Sequence, residues 1–390
     1  MASWIGIIKH RANVGYKDRA QTLRGRPQSK QKKPERVVGN MAPVVNPRFI
    51  FTNTIKLGAL PELGKTAVYD TSDTIDLDTI ALDGGFLAKT LLLGIDPYMT
   101  RVKFRDPAIK LYNPAFELGK PLYSYGVAVV LRSENNSFKP GDHLFSQKIP
   151  HEQYWVRADS SAFTVIKNDL GLPWTTYVGV LGMPGQTAYV GWKQFSKAKK
   201  GDIVFVSAAA GGVGSIVLQL AKRDGCRVIA SAGTDEKVAW LRSLGADVVF
   251  NYKTEDMRTV LLREGPIDVW IKSYWDNVGG ETLDLAFETA RERARFIECG
   301  MSSTQGENPY RLKNQTAIIR KELSLNGFLV NNWLGEYGEA FYEEFPKLVK
   351  SGELKYEEDI VYGLEKVGEA ILEVGKGLNR AKKVVIVANE

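Results

Sequence analysis

The sequence predicts an α/β protein in which a doubly wound parallel sheet is joined to a compact β domain. The stretch Ile203 to Lys237 reads as strand, glycine turn, helix and second strand, the first half of a dinucleotide-binding βαβ unit. From about residue 174 to 352, strand candidates at Val248 to Phe250, Ile267 to Ile271, Arg295 to Cys299 and Leu323 to Val330 alternate with helical stretches, as a parallel sheet requires. Residues 41 to about 173 instead carry short runs such as Leu87 to Leu93, Val127 to Leu131 and Tyr154 to Val156 between Gly, Pro, Asn and Asp clusters, the texture of a β domain. The apolar tail run Lys382 to Val387 has no helix after it and is expected to return to that domain.

Ile203 to Ser207 is β-branched and aromatic, which suits a strand buried on both faces. Ala209-Ala210-Gly211-Gly212-Val213-Gly214 then fits G-x-G-x-x-G with Ala in the first slot: Gly211 lets backbone approach a pyrophosphate and Gly214 lets helix lie on strand. The phosphates would sit at the positive N-terminal end of the helix. Val213, Ile216, Val217 and Leu220 give that helix one apolar stripe,. A lone glycine pattern is weak, since most tight turns bind nothing; the strand before it and the helix after it make the binding reading the better one.

The end of the second strand, Arg227 to Ala232, separates the two nicotinamide dinucleotides. NAD sites place an acid there for the ribose 2′-hydroxyl; this chain has Ser231, Ala232 and Gly233, with Lys237 four residues on, where an ammonium meets a 2′-phosphate as a point charge. NADP(H) is favoured. Asp235 and Glu236 lie close by, and helix-start chemistry accounts for them: Thr234 caps and two acids complement the dipole.

The 390 residues are 44% hydrophobic and 25% charged, an ordinary globular composition with room for two domains. No apolar run approaches the roughly 20 residues that cross a bilayer. The net charge of +7 is concentrated: residues 1 to 40 hold ten Lys/Arg against two acids and the rest is nearly balanced. The body therefore lacks the basic footprint of a nucleic-acid binder. Residues 1 to 40 read as a disordered extension. A mitochondrial presequence and a nucleic-acid or membrane-surface arm stay open, but an upstream extension ahead of a start at Met41 is favoured, and with it a cytoplasmic location. Cys226 and Cys299 are the two cysteines and His10, His143 and His151 the three histidines. That count excludes a four-Cys zinc lobe and a disulfide scaffold and disfavours a catalytic zinc. His143 and His151 border strand-like runs, where structural roles are expected.

Asp96-Pro97-Tyr98-Met99, Tyr125-Gly126-Val127, Gly182-Met183-Pro184-Gly185-Gln186-Thr187-Ala188-Tyr189, the Ala-Gly-Gly-Val-Gly turn, Gly233-Thr234-Asp235-Glu236-Lys237, Asn251-Tyr252-Lys253, Asp276-Asn277-Val278-Gly279-Gly280 and Cys299-Gly300-Met301, preceded by Met41-Ala42-Pro43-Val44, occur in one order. Together they resemble the zinc-independent medium-chain dehydrogenase/reductases, in the branch of prostaglandin/leukotriene reductases and plant double-bond (alkenal) reductases. The likeness covers nearly everything after residue 40. It implies a GroES-like β-barrel domain, residues 41 to 173 plus 353 to 390, into which a Rossmann domain, residues 174 to 352, is inserted, and a homodimer joined through the Rossmann sheets. By the same resemblance NADPH is contacted by Gly211, Gly212, Val213, Gly214, Gly233, Lys237, Tyr252, Asn277, the loop Cys299 to Gln305, Phe328, Leu329, Val330 and Asn379, while Tyr98 and Tyr125 line the substrate side. For each tyrosine the alternative is packing between domains.

The chain departs from the family twice. The loop after Cys299-Gly300 ends in Gln305 where the family has a tyrosine, and a glutamine donates a hydrogen bond but does not titrate. About four extra residues stand around Trp270-Ile271-Lys272-Ser273, and an insertion beside a central strand shifts register or bulges. The activity expected is NADPH-dependent, zinc-free reduction of the C=C bond of enones and enals, with hydride delivered to the β-carbon. The enolate would be held by hydrogen bonds from the cofactor ribose and from Tyr98, Tyr125 or Gln305. A quinone reductase on the same scaffold and a non-catalytic NADPH-binding protein are the alternatives; nucleic-acid and membrane partners are not expected.

Overall fold

The structure is a computed structural model that describes residues 42–111, 113–264, 271–306 and 308–390. The readings of residues 1 to 40 lie outside the described residues.

Six parallel strands form the nucleotide-binding half: β1 (Ile203–Val206), β2 (Arg227–Ala232), β3 (Val248–Asn251), β4 (Ile271–Asp276), β5 (Ala290–Glu298) and β6 (Ser324–Gly327). Their spatial order is 3-2-1-4-5-6, the Rossmann arrangement whose ligand crevice lies off the carboxyl edge where the order reverses, between β1 and β4. Period-two alternation puts the apolar residues of each strand on both faces. Val204 and Val206 face the layer holding Ile216, Val217, Leu241 and Phe341, while Ile203 and Phe205 face Val260, Leu283 and Phe287. The sheet is thus wound with helices on both sides, as the unbroken apolar β1 requires.

Of the strand expected at Ile267 to Ile271, residues 267–270 lie outside the described residues; the described strand runs Ile271–Asp276. Aromatic packing fixes this register. Tyr274 stacks on Phe205 at 5.1 Å between ring centroids, both Tyr274 and Trp275 are fully buried, and Val204, Phe205 and Val206 pair with Ser273, Tyr274 and Trp275. The register with β5 slips between Ile271, opposite Ala290, and Ser273, opposite Arg295, so the irregularity expected of the extra residues falls at the start of β4. The strand expected to reach Val330 stops at Gly327, and Val330–Asn332 form a single 3₁₀ turn.

The other large sheet has seven strands. Phe86–Ile95 pairs antiparallel with Tyr123–Ser133, with Tyr154–Arg157 and with the C-terminal strand Lys382–Ile386; beyond the last lies Glu358–Tyr362, and on the far side His143–Pro150 and Thr164–Val165. The tail therefore does return to this sheet. Phe51, Phe86, Phe104, Phe116 and Trp155 fill its core, with edge-to-face contacts such as Phe86 on Phe138 at 4.9 Å. His151 is buried with Nε2 against Ser124 Oγ at 3.0 Å, and burial pushes its pKa down to about 3, so it is a neutral core group. His143 opens its strand and stacks on Trp174 at 4.0 Å.

Candidate active site

The turn after β1 is held by short-range bonds: Ala209 N donates to Ser231 O on β2 (2.9 Å) and Gly211 N to Ala208 O (3.1 Å). A Cβ on Gly214 would lie 2.7 Å from Ala209 Cα, so only glycine lets the helix Gly214–Arg223 start this close to the strand. A Cβ on Gly211 would meet nothing nearer than Ala208 O at 3.3 Å, which leaves that side of the turn open to a ligand. Val213 ends the turn, half-buried, just ahead of the helix N-terminus.

At the end of β2, Tyr252 lies over Gly233: a Cβ there would sit 2.7 Å from the tyrosine hydroxyl. Thr234 Oγ1 accepts from Lys237 N at 3.3 Å, and Asp235 Oδ1 accepts from Asn251 Nδ2 at 2.8 Å. Thr234 caps the helix and both acids lie in its first turn, as the helix-start reading expects. Lys237 is half-buried, its Nζ 3.3 Å from Gly377 O, and desolvation, then Lys253, pulls its pKa below the ordinary lysine value. Asp359 and Glu236 act on the same ammonium in the opposite direction. Asn379 follows Gly377 by two residues, its Nδ2 bonded to Ala381 O at 2.8 Å.

The remaining strand ends complete the crevice. Asn277 N donates to Ser207 Oγ (3.0 Å), its Nδ2 to Ser207 O (2.7 Å), and its Oδ1 accepts from Trp275 Nε1 (3.1 Å). The side chain thus ties β4 to β1. Cys299 N bonds Asp276 O at 3.0 Å, and burial pushes its thiol up to about 12, which rules out a thiolate role at neutral pH. The turn Ser302–Gln305 follows, with Ser302 Oγ on Asn277 O at 3.1 Å; the side chain of Gln305 lies outside the described part of the chain. Phe328 points inward, 5.4 Å from the Phe195 ring, so a ligand would meet its backbone, whereas Leu329 is exposed and Val330 half-exposed.

Beside these edges stand the two tyrosines. Tyr98, in the turn Pro97–Met99, lies edge-to-face with Tyr125 at 6.4 Å. Tyr125 OH is 3.1 Å from Asn331 Oδ1 and 3.4 Å from Gln147 Oε1, so it joins the seven-stranded sheet to the segment after β6. Burial raises both phenols above the ordinary tyrosine value, Tyr98 the further, with Asp96 adding to each. Both phenols are held in the protonated form. Sequence reasoning missed Asn331, Gln147 and the bond from Gln186 Nε2 to Tyr342 OH at 2.9 Å; isolated amides carry no pattern. It also missed the buried Lys382–Asp96 pair, for which a lysine inside an apolar strand was an available signal.

Under the crevice Asp276 Oδ1 accepts from Val278 N and Gly279 N, each at 2.8 Å, and from Tyr274 OH at 2.6 Å. Burial first, then the adjacent Asp276, pushes Glu298 up to about 9. The unfolded carboxyl releases its proton in the usual range and the folded one keeps it, so stability present at acid pH is lost as pH rises toward about 9,. Glu298→Gln is expected to flatten that decline in melting temperature; parallel profiles for variant and parent would show that Glu298 ionises normally.

The residues present fit a dinucleotide: an open glycine turn, a helix N-terminus behind it and a half-buried lysine off β2. Among the described residues no group of three His, Cys, Asp or Glu is placed to hold a metal ion. Residues 212–350 match the family model described as zinc-binding dehydrogenase, and 72–165 the one described as N-terminal domain of oxidoreductase. A zinc-type alcohol dehydrogenase-like protein of Schizosaccharomyces pombe is 38% identical over 85% of this chain and 95% of its own length. The 2-alkenal reductase (NADP(+)-dependent) of Nicotiana tabacum is 36% identical over 81% and 91%. This chain belongs to the zinc-independent medium-chain dehydrogenase/reductases. Within them it falls in the prostaglandin/alkenal reductase branch. The crystal structure of CurA from Vibrio vulnificus in complex with NADPH superposes on this reductase with a TM-score of 0.77, at 26% identity, covering 88% of this chain and all of the other.

Proposed function

We propose that this reductase saturates the carbon–carbon double bond of α,β-unsaturated ketones and aldehydes with NADPH. The observation that carries the reading is the pair of protonated phenols, half-buried Tyr98 and buried Tyr125, beside the carboxyl edge of a sheet built for a dinucleotide. When bound, NADPH supplies the hydride that ends on the β-carbon. The Gly211–Gly214 turn and its helix receive the pyrophosphate, Lys237 with Lys253 the 2′-phosphate, and Gly233 and Tyr252 the adenosine end. The backbone of Phe328 to Val330, the loop Cys299 to Gln305 and Asn379 would complete the contacts, with Asn277 holding the crevice open from behind.

Reduction at the β-carbon moves charge to the carbonyl oxygen, so the protein must present a proton donor there. Tyr125 OH is directed at Asn331 and Gln147, whereas Tyr98 makes no bond to either amide; Tyr98 is the donor we assign, with Tyr125 shaping the pocket. Consumption of NADPH with enones, enals and quinones, followed by product mass, tests the reading. Saturated carbonyl product supports it; turnover restricted to quinones, or tight NADPH binding with no turnover, refutes it.

We take residues 41 to 173 with 353 to 390 as the substrate lobe and 174 to 352 as the cofactor lobe, and a cytoplasmic location for the chain. No helix among the described residues is long and apolar enough to cross a membrane. A homodimer through the edge strand β6 is also proposed. Among the described residues β6 has a strand partner on one side only, and Leu325 on it is 40% exposed while Ile319 just before it is 84% exposed; a bare apolar edge is a pairing surface. Sedimentation is expected to give a dimer that Leu325→Lys with Ile319→Asp converts to a monomer; a monomeric parent protein contradicts this.

A further inference from the structure

Lys382 opens the C-terminal strand and is only 5% exposed. Its ammonium donates to Ile95 O at 2.9 Å and pairs with Asp96 Oδ1 at 2.6 Å. Asp96, 4% exposed, is the residue from which the Tyr98 turn departs. The stem of the same lysine lies against the dinucleotide turn: a Cβ on Gly212 would touch Lys382 Cβ at 3.5 Å and Cδ at 3.6 Å. Glu358, on the neighbouring strand, also turns its charge toward Lys382. Asp96 Oδ2 and Glu358 Oε1 are buried with no hydrogen-bond partner among the described residues.

Stability alone does not account for this arrangement. A buried ion pair replaced by apolar groups of similar volume usually costs nothing, and here two carboxylate oxygens are left unsatisfied as well, at a cost. What the pair does achieve is geometric. One side chain stands beside the turn assigned to the pyrophosphate, filling the space a Cβ on Gly212 would face, and through Asp96 bears on the base of the turn that carries Tyr98.

We propose that Lys382 is a positioning residue that couples the dinucleotide turn to Tyr98, so that seating the cofactor sets the phenol. This rests on the cofactor and Tyr98 assignments made above. Packed elements transmit such a shift because each contact has few alternative arrangements.

The test is amide hydrogen exchange of the full chain with and without NADP⁺. Met99 N and Thr100 N, bonded to Asp96 O and Pro97 O, report the Tyr98 turn, and Gly211 N reports the dinucleotide turn. In the parent protein NADP⁺ is expected to slow exchange at both, by about fivefold or more at Met99 and Thr100, the lower end of ordinary coupling between sites. Lys382→Met alone leaves Asp96 buried and unpaired and risks misfolding, so the informative variant is Lys382→Met with Asp96→Asn. It is expected to keep protection at Gly211 and lose it at Met99 and Thr100, and to lose kcat more than it raises the KM for NADPH. Equal protection of the Tyr98 turn in variant and parent, or none in the parent, overturns the proposal. Failure of the enone reading is distinct: it leaves the parent's exchange pattern intact and abolishes only turnover of enones.

Discussion

Tyr98→Phe is expected to lower kcat for enones by about 10²- to 10³-fold, the usual cost of removing one donor to a developing oxyanion, while leaving NADPH affinity unchanged. The phenyl ring preserves the edge-to-face contact with Tyr125, so packing is held constant and only the proton is lost. Tyr125→Phe is expected to cost less, because its hydroxyl is turned toward Asn331 and Gln147. Desolvation keeps the Tyr98 phenol protonated beyond the ordinary tyrosine value, so kcat should show no loss of this donor until pH passes about 10. Steady-state kinetics on the two variants, with NADPH binding followed by tryptophan quenching, decide the matter. Near-parental kcat in Tyr98→Phe would move the donor elsewhere.

Lys237→Ala is expected to weaken NADPH by about 10- to 100-fold, the range of a lost charge-assisted hydrogen bond of about 1.5–3 kcal/mol, and NADH by little. Lys237 stands half-buried, close enough to Lys253 for the like charge to be felt, at a strand end that offers no acid to a ribose 2′-hydroxyl. An anion at this point relieves the repulsion between the two ammonium groups. Titration of both dinucleotides into variant and parent measures the discrimination. Equal weakening of NADPH and NADH would show that Lys237 holds the fold and not the phosphate.

The parallel sheet was legible because its signals are local. An unbroken β-branched strand, a glycine turn whose Gly214 has no room for a Cβ, and a Thr234 cap each depend on residues a few positions apart. The stretch Ser273 to Trp275 of strand β4 was not legible, for the opposite reason. Ile267 to Ile271 is the more apolar run, yet Tyr274 and Trp275 occupy the central slot because Phe205 stacks on the first and Phe328 lies against the second, and contacts so distant in sequence leave no periodic trace. The site divides in the same way. The glycine turn, Gly233 and Lys237 were readable from spacing, whereas Asn331 and Gln147 reach Tyr125 across 206 and 22 positions and are visible only in the folded chain. The inward turn of Phe328 and the structural bonds of Asn277 could not be read either, since both depend on which way a side chain leaves the strand end.

The central claim is that hydride goes to the β-carbon of an enone. The most direct measurement uses NADPH deuterated at its transferable position, a simple enone, and nuclear magnetic resonance of the product. The account predicts a saturated ketone with deuterium on the β-carbon and a solvent proton on the α-carbon. Deuterium on the carbonyl carbon of an allylic alcohol would contradict it.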